Sequence, residues 1–247
     1  MLKNGSFSNG WTDMPPAPGH LINQQPKDWT LRWIEPGESL FGAGDKAQGV
    51  PECVHKLSDQ LPPNERLGGP SALILAGNAT YKIFNAGAAF GAELKQTVTG
   101  LKPGSQAKVT APVLADLHGE TDPFGAESGL WVNGVGRWAN SSETKNRTWF
   151  HHTATTTVTP DGKVEIVIRV KSKWPRPKDF FIDGIELQAE ADPTETIVLP
   201  DDDEVFSQTA VTLHVPAALN LQIVTTTCHT PGVVVISVPE GVTVEFK

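Results

Sequence analysis

The sequence predicts an all-β protein, and three observations carry that expectation. The 247 residues include 23 Gly and 20 Pro, which suits many short strands joined by turns. No long stretch repeats apolar residues at i, i+3, i+4 and i+7, as an amphipathic helix requires. One segment, Val164–Lys171, alternates cleanly: Val164, Ile166, Ile168 and Val170 on one face, Glu165, Arg169 and Lys171 on the other, which is the period of a half-buried strand.

The elements follow in chain order. Residues 2–11 read as a short opening strand broken by Asn9-Gly10 and closed on Trp11. The prolines of Asp13–Gly19 exclude regular pairing there. Gln25–Trp33 reads as one strand, with Trp29, Leu31 and Trp33 on a shared face. Residues 35–70 are a long irregular stretch, a kind of loop that is often functional. Ser71–Leu75 and Thr80–Asn85 read as strands. Leu94–Leu101 is a strand ended by a Pro103-Gly104 turn. Ala107–Asp116 leads into an acidic loop, Gly119–Gly129. Leu130–Val135 holds the hairpin signal Asn133-Gly134. Thr148–Thr159, turning at Pro160–Lys163 into Val164–Lys171, reads as the clearest hairpin. Phe180–Leu187 closes the main body with one acid, Asp183, inside it.

The opening segment Leu2–Trp11, the Trp29 strand, the Leu94–Gly104 strand and turn, and the closing Phe180–Leu187 together resemble the jelly-roll β-sandwich of carbohydrate-binding modules, the galactose-binding-like group. The resemblance covers residues 1–190 and implies a fold that binds and does not catalyse. It implies core roles for Trp11, Trp29 and Trp149. It also implies a structural calcium ion where first and last strands meet, held through Asn4, Ser6 and Asp183, because a hard cation wants several oxygens at once. Ser8 departs from the glutamate many relatives carry. Residues 191–204 read as an acidic linker, and 205–247 as a small β domain. That segment is marginal as an independent core and is expected to dock on the sandwich or pair with another subunit.

The formal charge is −8. Seven acids and one base between Glu195 and Lys247 supply −6 of it. No basic stripe exists for a phosphate backbone, which argues against nucleic acid as a partner. No run of about 18 apolar residues spans a membrane. Cys53 and Cys228 are either free thiols or one long-range bridge. Met1 runs into the first motif with no signal peptide, so an extracellular protein without its leader and a virion protein are both expected contexts.

Signatures of catalysis are mostly missing. There is no Walker A motif, no Gly-x-Ser-x-Gly and no His-Glu-x-x-His. Gly42–Ala47 and Gly134–Ala139 loosely match a dinucleotide fingerprint but lie between no strand and helix. His151 and His152 are adjacent on a strand and point to opposite faces. Asp116, Glu120, Asp122 and Glu127 cluster around one loop, read as solvated or as a polar rim. A two-carboxylate glycosidase is the least favoured reading.

The 7 Trp against 1 Tyr point to sugar, since the C–H face of a pyranose stacks on indole and its hydroxyls need planar polar partners. The candidate ligand residues are Trp33, Trp131, Arg137, Trp138, Asn140 and Trp174. Arg137 and Asn140 flank Trp138 in sequence, and Trp174 sits in the stiff loop Lys173–Pro177. The expected partner is a glycan or cell-surface polysaccharide. The alternative is a structural virion protein, a phage decoration or tail-associated subunit built on the same jelly roll, with a homo-oligomer as one form.

Overall fold

Strands that alternate apolar and polar residues bury one face only, so they stack as two layers with the apolar faces inward. The computed structural model describes residues 1–15, 22–42 and 44–192, and the backbone of two further strands, 211–214 and 243–246. The chain divides into two units, Met1–Glu195 and Thr196–Lys247.

The first unit is an all-β jelly-roll sandwich. Its larger sheet contains β1 (Trp11–Met14), β2 (Asn23–Pro26), β4 (Glu52–Leu57), β5 (Ala79–Asn85), β12 (Lys178–Ile182), β7 (Gln106–Asp116) and β10 (Trp149–Thr157), in that spatial order. An eighth strand, β13 (Glu186–Ala189), also pairs with β7. The smaller sheet runs β3 (Thr30–Trp33), β6 (Phe90–Val98), β11 (Val164–Ser172), β8 (Ala126–Val132), β9 (Val135–Asn140). Pairing between the described strands is antiparallel apart from one parallel contact, between β2 and β4. One helical turn, α1 (Ser141–Thr144), follows β9. The main core lies between the sheets and holds Phe7, Trp29, Tyr81, Phe90, Leu94, Ile166, Ile168 and Phe180.

The chain's beginning and the end of its main body do meet. Ile185 N–H donates to the Gly5 carbonyl at 2.9 Å, and a Cβ on Gly5 would lie 2.3 Å from the Ile185 carbonyl oxygen. Here β12 breaks before β13 resumes. Across the break, β7 changes partner between Thr110 and Val113, and Pro112 sits in that gap, where no donor is needed on that side.

Several expected elements differ. Residues 2–10 form no ladder: Asn4 and Phe7 have positive φ, and the first strand starts at Trp11. The segment Gln25–Trp33 splits into β2 and β3, which belong to different sheets. The irregular stretch 35–70 contains β4 and two single 3-10 turns. Ser71–Leu75 is no strand; its Leu73 and Ile74 instead fill a second cluster with Leu61, Leu114 and Phe181. The expected hairpin across Pro160–Lys163 is a crossover, because β10 pairs with β7 and β11 with β6 and β8. The Asn133-Gly134 hairpin is present: both residues have positive φ and Val132 faces Val135, as a type I′ turn demands.

In the second unit, β14 (Val211–His214) pairs antiparallel with β15 (Thr243–Phe246). The rest of the expected small β domain, the acidic linker beyond Asp192 and Cys228 lie outside the described residues. Cys53 is a buried thiol.

Candidate functional site: the outer face of the five-stranded sheet

On β11 the inward side chains are Ile166, Ile168 and Val170, so Arg169 and Lys171 must point outward. The register sets the outward rows of the neighbouring strands. Arg169 faces Glu93 on one side and Gly129 on the other, and Gly129 in turn faces Trp138. Val167 faces Trp131, which faces Gly136.

Three glycines make room for rings on this face. A Cβ on Gly129 would lie 2.6 Å from the Trp131 ring, and one on Gly136 would lie 2.6 Å from Trp131 Cγ. The indole therefore lies flat over both. A Cβ on Gly91 would come within 3.0 Å of Phe41 and 3.1 Å of Leu40. That glycine lets the loop after β3 fold down, with Ile34, Leu40, Ala47 and Ala89 forming a small cluster beneath it. Phe41 thereby reaches the ring set: it lies 5.4 Å from Trp138, which meets Trp131 edge-to-face at 4.8 Å and 72°.

Cations interleave with these rings, and each has an acid. Arg169 lies 4.7 Å over Trp131 and 5.1 Å from Phe41, and its Nε donates to Glu93 at 2.8 Å. Lys171 lies 4.3 Å over Trp138 and 2.9 Å from Glu127. Lys173, just past the strand, lies 5.0 Å over Trp174 and 3.3 Å from Asp45. The repeat at 169, 171 and 173 is the strand period. With each acid bound to a cation, the face offers fixed donors, acceptors and ring surface.

The expected site residues divide. Trp131 and Trp138 come together. Trp174 stands at the end of the row, its Nε1 donating to Asp122 at 2.7 Å. Asn140 shares the outward side of β9, but its Oδ1 caps α1 by accepting from Ser142 N–H at 3.0 Å. Arg137 points to the opposite side of β9 from Trp138 and pairs with Glu143 at 2.8 Å, so it does not flank the ring. Trp33 is on the inner side, packed against the main core, with Nε1 donating to Glu35 at 2.9 Å. Strand parity puts it there, since Leu31 is buried and Arg32 is not. Phe41, Arg169, Lys171, Gly129 and Gly136 are not among the expected ligand residues, although alternation already set Arg169 and Lys171 on one outward face. The outward parity of β11 was the available signal for the cations; nothing local links Phe41 to a sheet 50 residues later.

Of the tryptophans expected in the core, Trp29 is buried, its Nε1 donating to the Asn4 carbonyl at 3.1 Å. Trp149 packs half-buried on the second cluster. Trp11 is 37% exposed and stacks on His55 at 4.4 Å, so its core role is corrected.

The residues expected to hold calcium each make hydrogen bonds within the protein. Asp183 is fully buried, and its carboxylate accepts from Leu75, Ala76 and Gly184 N–H at 2.6, 3.0 and 2.7 Å. Three N–H dipoles aimed at one carboxylate form an anion nest. Asn4 Oδ1 accepts from Asn9 N–H while its amide donates to the Lys27 carbonyl. The Ser6 carbonyl accepts from the Ser8 hydroxyl. The acidic loop is also tied down: Asp116 to Arg147, Glu120 to buried Lys178, Asp122 to Trp174 and Glu127 to Lys171.

No family model matches this sequence, and no curated protein matches it. Among solved structures it is similar to TmCBM61, solved in complex with beta-1,4-galactotriose, at 16% identity and TM-score 0.47, covering 76% of this chain and 97% of that one. It is similar to the CBM22-1 xylan-binding domain of Paenibacillus barcinonensis Xyn10C at 10% identity and TM-score 0.35, over 76% and 92%. It is also similar to the enzymatically active domain of bacteriophage CBA120 tailspike protein 4 at 13% identity and TM-score 0.44, where it spans 21% of that chain. With TM-scores under one half, neither a ligand nor a reaction follows from these likenesses.

Proposed function

We propose that the protein is a non-catalytic glycan-binding protein whose contact surface is the outer face of the five-stranded sheet. The observation that carries this reading is the seating of Trp131 over Gly129 and Gly136, with Trp138 edge-to-face against it and charged side chains interleaved. Trp131 and Trp138 are half-buried, and clustered apolar surface left at a protein's exterior marks an interaction site. A pyranose stacks its C–H face on such rings. A sugar that takes over the ring surfaces frees the N–H groups of Arg169 and Lys171 to donate to its hydroxyls, while Glu93 and Glu127 accept. The partner is a glycan or cell-surface polysaccharide, met outside a cell or by a virion.

A glycan array followed by affinity electrophoresis tests this. The parent protein is expected to be retained by at least one glycan. Trp131→Ala and Trp138→Ala should each weaken retention about tenfold or more, the equivalent of about 1.4 kcal/mol. Trp33→Phe should leave it unchanged. A parent retained by no glycan ends the proposal, and full retention in both alanine variants moves the site elsewhere.

A further inference from the structure

A sheet edge exposes unpaired N–H and C=O groups, and proteins blunt such edges with short strands, charges, prolines or bulges. Four edge strands of the sandwich follow this rule. β1, β3 and β13 have four residues each and carry Asp13, Arg32 and Glu186. β9 has six, carries Arg137 and runs straight into α1.

β10 does not. It has nine residues and, among the described strands, pairs only with β7. From Thr148 to Pro160 the chain contains no Asp, Glu, Lys or Arg, and β10 contains no Pro. Its ladder to β7 runs unbroken from Trp149↔Leu114 to Thr157↔Gln106, so no bulge twists the edge away. His151, Thr153, Thr155 and Thr157 are exposed. On the inward side, Phe150 and Ala154 line a cleft of about 520 Å³ whose other wall includes Val135, 78% exposed. A long, flat, β-branched edge beside exposed apolar surface is a template for another strand.

We propose that this strand pairs antiparallel with β10 of a second copy of the chain, about a two-fold axis through Thr153. The sequence is self-complementary about that point. Thr153 would face Thr153 of the partner subunit, a favourable cross-strand pair. Thr155 would face the partner's His151, and Thr157 the partner's Trp149. No like charges meet, which holds for no edge bearing a fixed Asp, Glu, Lys or Arg at its centre. The contact is isologous, so it closes as a dimer and does not propagate. One strand of about 30 Å buries less than a stable dimer's usual 1,200–2,000 Å² or so, so the dimer is reversible and concentration-dependent.

Analytical ultracentrifugation of the full chain, from low micromolar to near-millimolar concentration, tests this with a charge swap. The parent should pass from monomer to dimer. Thr153→Lys and Thr153→Glu should each stay monomeric, dimerising at least about tenfold more weakly, because the two-fold sets like charges face to face. Circular dichroism should show both variants folded, since Thr153 is exposed. An equimolar mixture of the two should dimerise again. A parent monomeric throughout, a single variant that dimerises as the parent does, or a mixture that stays monomeric would each overturn the proposal. Retention on glycan by monomeric Thr153→Lys keeps this test separate from the sugar-binding reading.

Discussion

Single residues of this fold work through burial. Asp183 is enclosed, and burial raises its carboxyl to about 7 against the pull of three main-chain N–H donors. An amide in its place would set an NH₂ against one of those donors. Asp183→Asn is therefore expected to cost about 1–3 kcal/mol, the penalty for an unsatisfied buried polar group, measured by urea denaturation. His152 shows the opposite shift. It is buried beside Ser128, whose Oγ lies 2.9 Å from Nε2, and burial lowers its pKa to about 4. The unfolded chain takes up that proton near pH 6.5. The folded chain withholds it, so stability is full above 6.5 and falls as pH drops towards 4. Asp183 runs the other way: its contribution is present below its ordinary range and is lost as pH rises through 7. A His152→Gln variant keeps the Asp183 effect and loses its own. Between pH 7 and pH 5 it should lose about 2 kcal/mol less stability than the parent; equal losses in both would refute the assignment. Neither burial was legible in the sequence: one acid and two adjacent histidines carry no mark of what the fold places around them.

At the scale of elements, the β8–β9 hairpin shows what local chemistry encodes. Asn133-Gly134 specified the turn, and the turn specified the register that puts Trp131 opposite Gly136. Strand parity was equally legible for β11, whose four predicted inward residues are all buried. Partner choice was not. Alternation says which face meets a core, and it says nothing about which strand lies alongside. That is why β10 and β11 read as a hairpin while belonging to different sheets. The same limit hid the aromatic face, where Phe41, Trp131 and Trp138 come from three separate segments. Its glycines give a direct test. In Gly136→Ala the new methyl would lie 2.1 Å from the Leu130 carbonyl oxygen and 2.6 Å from Trp131 Cγ. Moving the ring alone does not clear the carbonyl, so the β8–β9 hairpin backbone must shift and carry the indole with it. Overpacking of this kind costs about 1–3 kcal/mol, and the displaced ring should weaken glycan retention together with stability. Stability lost with retention intact would separate the ring from the ligand.

Across the whole molecule, the sandwich depends on contacts between its two ends. Phe7 is fully buried against Trp29, Tyr81 and His55, and Gly5 bonds Ile185. Lys3 N–H donates to Gln96 Oε1 at 2.8 Å, and the Gln96 amide returns a bond to the Lys3 carbonyl. The irregular segment before β1 thus joins both sheets and the closing corner without being a strand. Among the described residues the main core spans Phe7 to Ile185. Two truncations should then behave differently. Removing residues 1–9 deletes Phe7, and loss of a buried Phe alone costs about 3–5 kcal/mol. It also strips Asn4 from the Trp29 indole and opens the corner at Asp183. A domain with about 5–15 kcal/mol in hand should then be largely unfolded at 37 °C. Removing residues 196–247 leaves every one of those contacts, so the sandwich should keep a cooperative thermal transition and its near-ultraviolet tryptophan signal. If the shorter C-terminal variant melts without cooperativity, the second unit contributes to the core, and the closure between Gly5 and Ile185 is not sufficient to hold the fold.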